Sequence, residues 1–230
     1  MQDKIVVVTG GTGGLGKNVA KAFSRKGAHT IVTYRKNDEF ENLRREARNI
    51  EGIMADVTDG DNVKAAIDEI IEKYGRIDVL VNLVGGFREK GLLETDEEDF
   101  NSMININLRS VFLSSKYVLP HMKKQGGGKI VNVGARSAVE PSAGLGAYAP
   151  SKAGVIALTK TLAEEFKHDR INVNCVLPSV IDTEANRRAM PGENFAKWVA
   201  PDDIATVILF LASDHAKAVH GAAIPVYGLL

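Results

Sequence analysis

The chain has 230 residues, 44% hydrophobic and 25% charged, an ordinary globular composition that excludes a disordered chain or a coiled coil. Lysine plus arginine (29) balances aspartate plus glutamate (29), so no long-range positive field gathers nucleic acid or an anionic membrane, and neither partner is expected. A lone Cys175 excludes an intrachain disulfide, no histidine cluster has metal-ligand spacing, and no apolar run approaches the ~20 residues that span a bilayer; a soluble, metal-free protein of the cytoplasm is expected.

Short apolar runs open the chain at Ile5 to Val8 and recur at His29 to Thr33, Gly52 to Ala55, Ile77 to Val81, Lys129 to Val133, Ile171 to Val176 and Ala222 to Val226. They have the pattern of strands buried on both faces. Apolar positions at three- and four-residue spacing predict helices at Leu15 to Lys26, Asn62 to Tyr74, Phe100 to Lys124, Ala153 to Lys167 and Asp202 to Ser213. Arg44, Arg45 and Arg48 read as a solvated helix face. The alternation predicts one α/β domain over residues 1–230, a doubly wound parallel sheet of about seven strands with helices on both faces. Gly126-Gly127-Gly128 reads as a helix stop, and the irregular stretch over 184–200 as a substrate lid.

The first strand runs into Gly10-Gly11-Thr12-Gly13-Gly14-Leu15-Gly16 and then directly into a helix. Glycines at the carboxyl end of a buried parallel strand let the backbone turn tightly and approach a pyrophosphate, which the helix amino terminus attracts. Gly10, Thr12, Gly14, Leu15 and Gly16 are therefore the expected start of a dinucleotide site.

The spacing of Gly10, Gly14 and Gly16 resembles the glycine motif of the short-chain dehydrogenase/reductase family. Asp56-Val57, Asn82-Leu83-Val84-Gly85, Asn107, Tyr148-x-x-x-Lys152 and Pro178 to Thr183 follow in the order that family shows, over essentially the whole chain. The resemblance implies a Rossmann-type fold, an NAD(P)-dependent oxidoreductase acting on a small-molecule substrate, and a homotetramer built through the two long central helices and the last strand. It implies Tyr148 as acid/base, Lys152 as its activator and ribose ligand, and Asn107 as the anchor of a water-linked proton relay. It also implies Asp56 and Val57 at the adenine, Asn82, Gly85 and Pro178 beside the cofactor, and Thr183 at the nicotinamide carboxamide. Lys152 follows Tyr148 by one helical turn, so its ammonium is expected to favour the phenolate and lower a pKa that is about 10 when unperturbed. Asn107 equally reads as a buried side chain capping backbone groups, and Asp56 as a helix cap.

One departure carries information. The family's serine stands thirteen residues before the tyrosine, where this chain has Ala135. Ser137 would share that face if the strand continued, and is the expected substitute donor to the substrate oxygen. Alternatively the substrate needs no such donor: Val176-Leu177-Pro178, Asn186-Arg187, Phe195 and Trp198 resemble dihydropteridine reductases, which lack the serine and reduce a quinonoid ring. Gly75-Arg76-Ile77-Asp78 and the helix from Phe100 resemble 3-oxoacyl-carrier-protein reductases, whose substrate is an acyl thioester. At the end of the second strand Tyr34 stands where an NAD-specific acid would be, followed by Arg35 and Lys36, so NADP(H) is expected over NAD(H). Arg187 and Arg188 read either as an anion clamp in the lid or as a solvated face.

Overall fold

The computed structural model describes residues 1–230. Seven parallel strands are ordered β3-β2-β1-β4-β5-β6-β7: β1 (Ile5–Thr9), β2 (His29–Tyr34), β3 (Ile50–Met54), β4 (Val79–Asn82), β5 (Gly128–Val133), β6 (Ile171–Pro178) and β7 (Ala223–Val226). β1 and β4 are buried at every position because helices cover both faces, which is why these strands read as unbroken apolar runs rather than alternations.

The helices are α1 (Gly16–Arg25), α2 (Asn37–Glu46), α3 (Gly60–Tyr74), α4 (Glu97–Ile104), α5 (Ser110–Gln125), α6 (Tyr148–Phe166), α7 (Glu184–Ala189) and α8 (Pro201–Ala212). Their ends follow local chemistry. Asp59 caps α3 by accepting from the Asn62 N–H at 2.8 Å, and left-handed Gly75 stops it at φ 72°. Asp96 caps α4 through the Asp99 N–H, and Gly126 at φ 86° ends α5. Val19, Phe23, Val32, Ile204 and Ile208 belong to the core on one side of the sheet; Ile31, Ile67, Leu80, Val118 and Ile130 belong to the core on the other. No helix is long and apolar enough to cross a membrane.

Five expectations are corrected. The helix predicted from Phe100 to Lys124 begins at Glu97 and is two helices joined by a π-helical turn at Asn105–Arg109. α6 starts at Tyr148 rather than Ala153, and the third strand covers Ile50–Met54. α2, which carries Arg44 and Arg45 on its exposed side, ends before Arg48. β5 ends at Val133, and Arg136–Ala138 form a 3-10 turn, so Ala135 and Ser137 do not share a strand face.

Candidate active site

The connections after β1, β4, β5 and β6 all leave the sheet at its carboxyl edge, and the chain's expected site residues stand on them. The glycine loop is fixed from below: the Gly10 N–H donates to Thr33 Oγ1 at 3.1 Å and the Leu83 N–H to Thr9 Oγ1 at 3.1 Å, which ties the ends of β1, β2 and β4 together. Gly10 has φ 65°, and a Cβ on Gly16 would lie 2.1 Å from the Gly10 carbonyl oxygen, so the loop closes only with glycine there. A Cβ on Gly14 would lie 3.0 Å from Thr183 Cγ2, bringing the loop against the residue that caps α7.

These residues fit a dinucleotide. α1 has no side-chain cap and no acid in its first turn. The Gly14 and Leu15 N–H groups have no acceptor within the chain, leaving the positive end of the helix to an anion. Farther along the cleft, Thr12, Tyr34, Arg35, Asp56, Val57 and Gly85 line one cavity. Asp56 accepts from the Thr58 hydroxyl at 2.7 Å and the Thr58 N–H at 2.9 Å, and these bonds, with Arg35 nearby, hold its carboxyl below the usual range. Asp56 is thus no helix cap, since Asp59 caps α3. Tyr34 stacks flat on Phe40, ring centroids 4.6 Å apart, with Arg35 and Lys36 beyond it. Asn82 donates to Asn132 Oδ1 at 2.8 Å, while its own Oδ1 is buried and unpartnered. Pro178 ends β6.

Where the cleft passes Gly85, two side chains converge on that glycine. A Cβ there would lie 2.8 Å from Asn107 Oδ1 and 3.2 Å from Lys152 Nζ. Asn107 is fully buried in the π-helical turn, an irregularity that often marks a working site. Its Oδ1 accepts from the Gly86 N–H at 2.9 Å; its Nδ2 donates to the Gly86 carbonyl at 3.0 Å and to Ser151 Oγ at 3.1 Å. Asn107 thus bonds to the backbone of the loop after β4, and its Oδ1 and Lys152 Nζ both flank Gly85. Ser151 Oγ in turn donates to the Tyr148 carbonyl at 2.7 Å, closing a chain from the β4 loop to the first turn of α6. Sequence reading missed Ser151; its only sequence signal was its place inside Tyr148-x-x-x-Lys152.

Tyr148 is the first residue of α6, and Phe87 meets its ring edge-on at 4.9 Å. The expected lowering of its pKa is not found: burial pushes the phenol up to about 12, and Lys152 Nζ donates instead to the Val133 carbonyl at 3.0 Å. Burial in turn pulls Lys152 down to about 8. Both shifts have one cause, the cost of charge away from water. Ala135 is buried and extended, and the Ser137 hydroxyl, in the following 3-10 turn, is buried without a partner.

In the lid segment Arg187 is no free clamp, since Asp182 holds it through two hydrogen bonds of 2.5 and 2.7 Å and its guanidinium lies over the Phe195 ring. Arg188 pairs with Glu184 at 3.3 Å. Trp198 is buried and packs with Phe195, and the Leu229 N–H donates to the Lys197 carbonyl at 3.0 Å, pinning the carboxyl-terminal tail to the end of the lid. One acid of the cleft escaped sequence reading. Glu39, on the first turn of α2, lines the cavity with Arg35; it accepts from Thr12 Oγ1 at 3.1 Å and lies 3.3 Å from Lys36 Nζ.

The family model described as short chain dehydrogenase matches residues 4–194. A 3-oxoacyl-(acyl-carrier-protein) reductase of Thermotoga maritima is 37% identical over 240 aligned positions, covering 99% of this chain and 98% of that protein. A structure of ElxO with NADP bound superposes at a TM-score of 0.93 with 33% identity, covering 99% and 98% of the two chains. A 3-ketoacyl-(acyl-carrier-protein) reductase from Brucella melitensis complexed with NADH superposes at 0.89 with 28% identity and the same coverage.

Proposed function

The chain belongs to the short chain dehydrogenase family, is an oxidoreductase, and on that premise we propose that it reduces the ketone of a 3-oxoacyl thioester with NADPH in preference to NADH. The observation that carries this reading is the convergence of Asn107, Lys152 and Gly85 beside Tyr148, below a cleft whose glycine loop fits a pyrophosphate. The name of the Thermotoga maritima relative, similar over almost the whole chain, supports the thioester.

A bound nicotinamide supplies the hydride. The chain's own residues do the rest. Tyr148, protonated through the physiological range because burial holds its pKa at about 12, gives its proton to the substrate oxygen. Lys152 holds the cofactor ribose and supplies positive charge beside the phenol. Asn107 positions Ser151, and with it the first turn of α6, so that the phenol points the same way in every molecule. Gly10, Gly14, Leu15 and Gly16 receive the pyrophosphate, Asp56 and Val57 the adenine, Asn82 and Pro178 flank the cofactor, and Thr183 takes the carboxamide. Ser137 is the available hydroxyl near the position of the missing serine. The segment 184–200 is the lid, and Phe87 walls the substrate side.

Arg35 and Lys36 support the NADP(H) preference. Assembly as a homotetramer in the cytoplasm accords with the apolar groove between α5 and α6, where Phe112, Leu119, Leu158 and Phe166 meet and Phe112 is 46% exposed. A second reading rests on Ala135: without the serine donor, an activated quinonoid ring such as a dihydropterin suits the site. Initial rates of NADPH and NADH oxidation with an acetoacetyl thioester and with quinonoid dihydropterin test both. Turnover of the thioester is expected; turnover of the pterin alone sinks the ketone reading. Replacing Arg35 by alanine should raise the KM for NADPH about tenfold and leave that for NADH unchanged.

A further inference from the structure

The amino edge of the sheet, opposite the cleft, holds a second cavity of about 570 Å³, within the range of small-ligand sites. Lys4 precedes β1, Lys129 lies in β5, and Arg76, Lys167, Arg170 and Lys217 complete a set of six lysines and arginines against two carboxylates, Asp78 and Asp214. A net charge of four positive units in one cavity stands out in a chain whose total is zero.

Those carboxylates do not absorb the excess. Asp78 accepts from the Ile5 N–H at 2.9 Å, pairs with Arg76 and lies 3.6 Å from Lys4. Lys129, half-buried, has only the neutral Asn172 Oδ1 as partner, at 2.5 Å, and neither Arg170 nor Lys217 forms an ion pair, while Lys167 pairs with Glu164 outside the cavity. Helix carboxyl ends answer part of the charge: α5, α6 and α8 finish at this edge, and each contributes about half a negative unit, about one and a half in all. With Lys167 answered by Glu164, a surplus of about one to two positive units remains, which matches a phosphate ester.

Arg170 supplies a second, independent observation. It is left-handed, φ 59°, at the end of the 3-10 turn Lys167–Asp169 that follows α6, where glycine fits without the cost of about 1–2 kcal/mol that a Cβ incurs. The turn beside it is bare: a Cβ on Gly127 would lie 3.0 Å from the Arg170 carbonyl oxygen, which accepts from the Gly128 N–H at 3.2 Å. Backbone strain is thus tolerated to place a guanidinium at a cavity rim that no side chain from Gly126-Gly127-Gly128 obstructs.

We propose that this cavity binds a small phosphorylated anion of one to two negative charges, at a site separate from the dinucleotide cleft. The test is calorimetric titration of the intact protein with inorganic phosphate, with NADPH in excess to fill the glycine loop. One saturable site is expected, weakening as salt is raised. Arg170→Gly, which relieves the backbone and so keeps the fold, and Lys217→Ala should each weaken binding about tenfold. Absence of saturable heat at about 10 mM phosphate, far above the dissociation constant such a site should have, overturns the proposal. So does binding unchanged in both variants, or binding that NADPH abolishes, since that places the anion at the glycine loop.

Discussion

The two ends of the cleft solve opposite problems. Around Gly85 the groups are buried: Asn107 and Lys152 are 0% and 6% exposed, nearly every polar atom has a partner inside the chain, and desolvation moves both the phenol and the ammonium away from their ordinary pKa values. Around Arg35 and Glu39 the charges stay near water, and Arg35 is exposed. Proton transfer needs groups whose protonation is set by their surroundings and whose positions do not wander, which burial provides. Recognition of a ribose or its phosphate needs charges that a ligand can reach, which exposure provides. The contrast arises because α6 packs against β6 and the π-helical turn that holds Asn107, while the residues that follow β2 lie near the surface.

Substitutions in the buried half should have the larger effects. Tyr148→Phe should lower kcat by about 10³-fold while the dissociation constant for NADPH stays within a factor of about two; stopped-flow turnover beside fluorescence titration decides, and a small loss in kcat would dethrone Tyr148 as donor. Lys152→Met should abolish most activity yet stabilise the fold. Its pKa falls from 10.5 to about 8, so the unfolded chain binds the extra proton between those values and the folded protein bears the full penalty below about pH 8. That penalty is about 3 kcal/mol; losing the donor to the Val133 carbonyl returns about 1, leaving a gain of about 2 kcal/mol at pH 7, measured by urea unfolding. Above pH 10.5 the gain should vanish, because lysine is then neutral in both states.

Two further changes probe smaller terms. Ala135→Ser restores a donor on the substrate side and should raise kcat for an acetoacetyl thioester about tenfold if the ketone reading is right; no change would mean that Ser137 already serves, or that the substrate needs neither. In the exposed half, Glu39→Gln removes the carboxylate that lies 3.3 Å from Lys36 and shares the cavity with Arg35, and should lower the KM for NADPH about threefold while leaving kcat alone. An effect on kcat would erase the distinction between the two halves.

Much of this was legible residue by residue. Apolar runs marked all seven strands; in β1 and β4 burial on both faces leaves no room for polar alternation, whereas the edge strands β3 and β7 are only partly buried. The glycine loop could be read because Gly10 and Gly16 meet a steric requirement that no other residue meets. The start of α6 at Tyr148 was not legible: Pro150 falls in its first turn, where a missing N–H costs nothing, but reads locally as a breaker. Nor was the 3-10 turn at Arg136–Ala138, which takes Ser137 off the strand face of Ala135.

The sequence by itself determined the order of strands and helices, the glycine loop and the spacing of Tyr148 and Lys152, because each depends on neighbours within a turn or two of chain. Only the tertiary structure decided that Lys152 faces Val133, that Ser151 links Asn107 to Tyr148, that Glu39 shares a cavity with Arg35, and that Lys4, Lys129, Arg170 and Lys217 meet at one edge of the sheet. Those facts rest on burial and on distances between residues far apart in the chain, and the field that shifts a pKa or gathers an anion is a property of packed space.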